Sequence, residues 1–463
     1  HPGWRSSSVS WTDGGGGRWL FGGSTVDDYS IQGFLNDLWR WDGTNWTWMS
    51  GSDVPNQLGT YGTKGIAAPT NVPGARYGAV SWTDAGGNLW LFGGVFEEYW
   101  VWETSFYRFN DLWKWDGTSW TWMSGSNVSD QPGTYGTKGL AAPGNVPGAR
   151  EGAVSWTDAA GDFWLFGGYG YGATGVGDLN DLWKWDGTNW TWMSGSDAVN
   201  QPGTYGTKGL AAPSNVPGAR ERAVSWTDGA GNFWLFGGWG YGATSSGELN
   251  DLWRWDGTSW TWMSGSSSPN QPGVYGTRGV AAAENTPGGR YWAVSWTDAI
   301  GNLWLFGGSG FAATADGYLN DLWKWNGTTW TWVAGSNTPN QPGTSGSQSV
   351  AAPANTPGAR GGAVSWIDAS GNPMLFGGYG YDAIGLEGDL RDIWVFGAQC
   401  AFLDPPTVGN GGPYAVGATV ALTASSVPGA AYLWTGPNGF TSSEQNPTIP
   451  NATTETAGLY SVT

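Results

Sequence analysis

The tetrapeptide Leu-Phe-Gly-Gly occurs six times, beginning at Leu20, Leu91, Leu165, Leu235, Leu305 and Leu375. Successive copies start 71, 74, 70, 70 and 70 residues apart. A long fixed period in one chain requires a repeat architecture, in which one supersecondary unit buries its apolar face only by packing against its neighbours. The period also aligns the chain with itself. Positions shared by all copies are expected to be scaffold, and positions that differ are where a specific site is expected.

The third copy shows the unit. Ala153-Val154-Ser155-Trp156 is a short β-prone run, Thr157 to Asp162 a turn, and Phe163-Trp164-Leu165-Phe166 a second apolar run closed by Gly167-Gly168. A glycine-rich loop leads to Asp181-Leu182-Trp183-Lys184-Trp185, which alternates as a strand does. Asp186-Gly187-Thr188 is a tight hairpin signal before Trp190-Thr191-Trp192-Met193. Four short antiparallel strands per repeat predict propeller blades, and no segment keeps a helical period.

This unit resembles the kelch repeat. The resemblance rests on the Gly-Gly after the second strand, Asn180-Asp181-Leu182-Trp183 in the third, and Trp190 after the next turn. It covers residues 1–399 and implies an all-β chain: a six-bladed kelch-type β-propeller, similar to the propeller domain of galactose oxidase. These copies are longer than the common kelch unit of about 50 residues. The extra length follows the fourth strand, as at 124–150. Within it Gln131 to Gly139 returns almost unchanged at Gln201 to Gly209, which predicts an ordered loop packed alike on each copy.

Most of the 38 tryptophans recur at fixed places in the copies and read as core between packed blades. Trp4, Trp100, Trp102, Trp239, Trp292 and Trp434 do not. Lysines and arginines between the strand-three tryptophans read as solvated heads on stems lying along Trp. The arginines ending the long loop (Arg5, Arg76, Arg150, Arg220, Arg290, Arg360) have two readings. One pairs them with the aspartates of Asn/Arg-Asp-Leu/Ile-Trp (Asp37, Asp111, Asp181, Asp251, Asp321, Asp392). The other makes them an anion-binding ring.

The repeat stops after Phe396, and residues 400–463 read as short strands at 419–423, 432–434 and 458–462. They resemble an immunoglobulin-like or PKD-like β-sandwich, with Trp434 as core and Tyr460 as a tyrosine corner. Cys400 has no second cysteine to pair with. The chain begins inside a repeat and ends inside a strand, so more sequence is expected on both sides. Kelch blades followed by such a module resemble secreted or surface proteins of bacteria with type IX secretion.

Net charge is −18 with charged residues at 12%, which argues against nucleic acid and anionic lipid as partners. No apolar run approaches the roughly 18 residues of a membrane span. Acidic pI and few lysines point to an extracellular or cell-surface location. The rim holding the arginines also holds the most variable segments, rich in aromatics: Tyr99, Trp100, Trp102, Tyr169, Tyr171, Trp239, Tyr241, Phe311, Tyr379 and Tyr381. With Arg76, Arg150, Arg220, Arg290 and Arg360 they are the candidate ligand contacts, suited to sugar rings or extended peptide; covering the rim is the alternative. Copy two, with its expanded 95–102 segment, is the expected centre.

No cofactor is expected. Calcium at Asp178/Asp181 and Glu248/Asp251 lacks a known loop spacing. One histidine, His1, and one cysteine leave no copper site of the kind the galactose-oxidase resemblance implies, and no Ser-His-Asp system. Glu97, Glu98 and Glu103, unique to copy two, leave paired-carboxylate glycosidase chemistry open. The expectation is a non-enzymatic binding or adhesion protein for an extracellular glycan, polymer or surface protein. The alternatives are a structural component that self-assembles or meets secretion machinery, and a glycan-active enzyme.

Overall fold

A computed structural model describes the chain except residues 1, 4, 14, 27–31, 101–102, 349, 351, 353, 368–370, 397–407, 426–431 and 463. The side chains of residues 26, 32, 99, 100 and 103 are also outside the description. Trp4, Trp102 and Cys400 therefore lie outside the described residues, as do the side chains of Tyr99, Trp100 and Glu103. The described residues are almost entirely β, with no α-helix, and form many small antiparallel sheets consistent with a propeller. None of their helices is long and apolar enough to cross a membrane. The chain divides into two compact bodies, His1–Gly397 and Ala398–Thr463.

Copy three follows the expected order. Val154–Thr157 pairs with Phe163–Tyr171, which pairs with Val176–Trp185, which pairs with Trp190–Ser194. The first strands of successive copies lie side by side along the inner edge of the sheets. Ser295 Oγ donates to Ser225 O at 3.2 Å, and Ser365 Oγ to Ser295 O at 3.3 Å. Copy six differs: Val364–Ile367, Pro373–Phe376 and Ile393–Val395 make a three-stranded sheet among the described residues.

The core lies between copies. Trp156 of copy three stacks on Phe233 of copy four at 3.4 Å, and Phe166 meets Trp260 edge-on at 5.4 Å. Each such ring removes about 150–250 Å² from water. Gly167 and Gly168 adopt φ of 66° and 96°. A Cβ on Gly167 would stand 2.7 Å from Arg220 O of the next copy. The motif's first glycine is thus where one copy's second strand crosses its neighbour's backbone, and Gly168 is closed in by Glu151 O of its own copy; both need positive φ and absence of a side chain.

The long loop is an ordered strap onto the next copy. Tyr135 Oη donates to Asp181 at 2.7 Å; Lys138 Nζ lies 4.2 Å above Trp192 and donates to Gly195 O at 2.7 Å. Tyr61/Lys64, Tyr205/Lys208 and Tyr275/Arg278 repeat this. Copy five carries Ser345 and Gln348 at these two positions, and the Asp392 side chain beneath is 39% exposed. The same cover explains one exception to the buried tryptophans: no strap is seen over Trp48 of copy one among the described residues, and it is 50% exposed. The strand-three cations stay near Trp, as Lys184 does 5.4 Å from the Trp164 ring, but Lys324 is buried rather than solvated.

In the C-terminal body, Val408–Asn410, Val420–Ala424 and Thr448–Ile449 form one sheet, and Phe440–Ser442, Trp434–Gly436 and Ser461–Val462 another. Trp434 is buried with Leu422, Ala424 and Ile449. Tyr460 Oη donates to Thr456 O at 2.7 Å, four residues upstream. The first two expected strands lie one and two residues further on, at Val420–Ala424 and Trp434–Gly436, and the last is shorter, Ser461–Val462.

Candidate functional site

The arginine calls are corrected first. Arg76, Arg150, Arg220, Arg290 and Arg360 are buried, and each makes a two-pronged ion pair with the strand-three aspartate of its own copy. Arg150 donates to Asp181 at 2.6 and 2.7 Å and to the carbonyls of Gly148 and Gly167. Asp181 also accepts from Tyr135 and Trp183. With their donors consumed and water excluded, these guanidiniums hold loop to sheet and offer nothing to a ligand. The same pairing takes up Asp181 and Asp251, leaving Asp178 and Glu248 apart from the calcium sets in which the spacing placed them.

Just beyond each arginine, on the same rim, the copies stop being alike. Strand register aligns three residues there in every copy, as a rung across the sheet. The rungs are Ser6–Ser24–Phe34, Tyr77–Val95–Arg108, Glu151–Tyr169–Asp178, Glu221–Trp239–Glu248, Tyr291–Ser309–Tyr318 and Gly361–Tyr379–Asp389. All six differ. The last residue of a rung faces the next copy's rung across a seam.

Three seams are chemically matched. Phe34 stacks on Tyr77 at 5.4 Å and meets Phe96 edge-on at 5.6 Å. Arg108 pairs with Glu151 at 2.9 Å and lies 4.7 Å from the Tyr169 ring. Tyr318 packs on Tyr379 at 5.7 Å. The seams on the two flanks of copy four are not matched. Asp178 faces Glu221 and Arg222; burial and the Glu221 charge push its carboxyl up to about 7. Glu248 is likewise pushed up to about 7, by burial and then Asp316, with Arg290 opposing. Both residues are under a tenth exposed, and Asp178 Oδ1 and Glu248 Oε2 are buried without a hydrogen-bond partner.

Beside the rungs, Ser7, Gly78, Gly152, Arg222, Trp292 and Gly362 all take positive φ, between 54° and 67°. Each of the last five donates its N–H to the carbonyl of the one before, stitching the copies together at this edge. Arg222 and Trp292 hold a conformation that bulky residues rarely adopt. The Arg222 guanidinium lies 4.5 Å from the Trp292 ring, 3.4 Å from Glu221 and 3.7 Å from Glu151. Glu151, between Arg108 and Arg222, is still pushed up by burial, against the pull of both cations.

Of the expected aromatics, Trp239 and Tyr379 are each 42% exposed on the rim, and Tyr169 is half-buried under Arg108. Trp239 meets Tyr291 edge-on at 6.0 Å, and Tyr291 contacts Trp292 at 5.1 Å. Tyr381 donates to Glu387 at 2.9 Å. Tyr171, Tyr241 and Phe311 sit two residues outward from the rungs, their N–H groups bonded to the long loop. In copy two, Glu97 accepts from Tyr77 and Glu98 from Tyr107. The sequence reading missed Arg108, Glu151, Glu221 and Arg222. Aligning the two residues after each buried arginine would have found three of them.

No family model and no curated protein matches the chain. Among solved structures it is similar to one titled "Structure of YjhT", at 14% identity and TM-score 0.48, covering 85% of this chain and 95% of that one. It is also similar to a "Novel fungal alcohol oxidase with catalytic diversity among the AA5 family, in complex with copper", at 13% identity and TM-score 0.41, covering 96% and 87%. The expectation of a non-enzymatic chain is corrected on that second likeness, since that similar structure is of an oxidase. At these values neither likeness carries a reaction over. A chain with one histidine and one cysteine, both outside the described residues, does not fit a copper site of the galactose-oxidase kind.

Proposed function

We propose that residues 1–399 form a six-bladed kelch-type propeller, followed by an immunoglobulin/PKD-like module, and that the chain recognises carbohydrate at the rung-bearing rim. Closure between copies six and one is supported by Arg18, which donates to Ile367 O at 2.8 Å and lies 5.8 Å from the Trp366 ring. A cavity lined by Arg5, Ser6, Ser24, Phe376 and Asp389 joins the same two copies. The observation carrying the functional reading is that six scaffold copies, alike in their buried networks, present six different rungs on one rim. Exposed Trp239 and Tyr379 beside carboxylates there suit ring faces with hydroxyl groups. An acidic, lysine-poor chain fits secretion or display at a cell surface, with a type IX route as the resemblance implies.

A glycan array with the full chain, Trp239→Ala and Tyr379→Ala tests this. Binding to a subset of glycans is expected, with at least a tenfold loss in one variant. No glycan bound, together with regular self-assembly in light scattering, would instead establish the second reading, an assembly component.

A further inference from the structure

The two unmatched seams share one rung. Glu221, Trp239 and Glu248 stand in register across copy four, Asp178 faces this rung from copy three, and Tyr291 and Trp292 adjoin it from copy five. An exposed indole ringed by carboxyls is the chemistry that holds an ammonium group: the ring face attracts the cation and the carboxylates take its N–H donors. The other charged side chains of the central rungs, Arg108, Glu151 and Glu221, have ion-pair partners. Arg108 and Arg222 bracket Glu151, and Tyr77 donates to Glu97. Asp178 and Glu248 are in no ion pair among the described residues, Arg222 and Arg290 acting on them only at a distance, and each keeps a buried oxygen unbonded. A buried acceptor left without a donor costs free energy, so a site keeping two of them beside one exposed ring fits a ligand that brings the donors.

We propose that the flanks of copy four bind the protonated amine of an amino sugar, with the sugar ring on Trp239 and the ammonium between its flanking carboxyls. This rests on the carbohydrate reading above and narrows it to glucosamine-type units. Anionic sugars are disfavoured there, because Asp178, Glu221, Glu248 and Asp316 outnumber Arg222, whose guanidinium is already shared between Glu221, Glu151 and the Trp292 face.

The test is calorimetric titration of the full chain at pH 7, where Asp178 and Glu248 can ionise as the ammonium binds, with β-1,4 tetramers of glucosamine, N-acetylglucosamine and glucose, and with tetralysine. The glucosamine tetramer is expected to bind at least tenfold tighter than its acetylated twin, which has the same ring without the charge. Asp178→Asn with Glu248→Gln should erase that preference while leaving the weaker binding of the neutral tetramers. Glu248→Gln alone serves if the pair does not fold. Equal affinity for all three sugars overturns the proposal and leaves the carbohydrate reading standing. Binding of none overturns both. Binding of tetralysine alone overturns the sugar assignment.

Discussion

Replacing Asp178 with asparagine should stabilise the protein, and only above the ordinary carboxylate range. The carboxyl sits under a tenth exposed, faces Glu221, and is pushed from 3.8 up to about 7. Between those values the folded chain holds a proton that the unfolded chain has released. Stability therefore falls as pH rises across that window and stays low above it. Each pKa unit is worth ~1.4 kcal/mol, so three units bound the effect at about 4 kcal/mol; relaxation and nearby solvent reduce this to about 2 kcal/mol. The amide keeps the size and a donor toward Glu221 but cannot ionise. Melts of wild type and variant should coincide near pH 4. At pH 8 they should separate by about 2–3 °C, given ~2 cal/mol/K of unfolding entropy per residue in the 397-residue body. A gain of equal size at both pH values would refute the reasoning, as would a loss at pH 8, which would mean that the attraction of Arg222 outweighs burial and the Glu221 charge.

Two further outcomes follow from the scaffold. Arg150→Met leaves the Asp181 carboxylate buried with only Tyr135 and Trp183 as donors, and should cost about 3–5 kcal/mol in denaturant unfolding; a cost under 1 kcal/mol would show that the pair is dispensable. Ser345→Tyr restores the strap residue of copies one to four over the half-open Asp392, and should gain about 0.5–1.5 kcal/mol. Ser345→Phe, without the hydroxyl, is the control and should gain less.

Much of the scaffold was legible because its signals are local and repeated. Alternating apolar residues, Asp-Gly turns and Gly-Gly marked the four strands, and the near-identity of 131–139 and 201–209 marked the strap. The fourth strand of copy six was absent from the sequence pattern and is absent among the described residues. The arginines were readable only as a choice between two partners, because whether a guanidinium is buried depends on the neighbouring copy's loop, which spacing does not show. The site was harder. Asp178 drew notice as a possible calcium ligand because Asp181 is three residues away. Strand alternation and the bulge at Gly168 instead turn the two carboxyls toward different surroundings, one to Glu221 and one to Arg150. Copy two attracted attention by its length. The unmatched chemistry lies two copies further on, where nothing in the length changes.

The stitched edge bears on why the site is there. Positive φ at six equivalent positions is a demand of the backbone ladder that joins the copies, and glycine meets it at Gly78, Gly152 and Gly362 without penalty. Arg222 and Trp292 meet it at about 1–2 kcal/mol each. The surrounding ladder and the buried Arg–Asp pairs are strong enough to impose that conformation, so the two side chains persist where stability alone would favour glycine. They occur in adjacent copies, four and five, on either side of the seam between Glu248 and Tyr291, and Arg222 also reaches the seam that holds Asp178. Two bulky residues at positive φ, unpaired carboxyls and the exposed Trp239 therefore coincide in copies four and five, whereas among the other copies only Ser7, a small residue, departs from glycine at this position, and three seams are matched. Such costs would be scattered around all six copies by sequence drift, and their clustering in two adjacent copies is what the proposed recognition site accounts for.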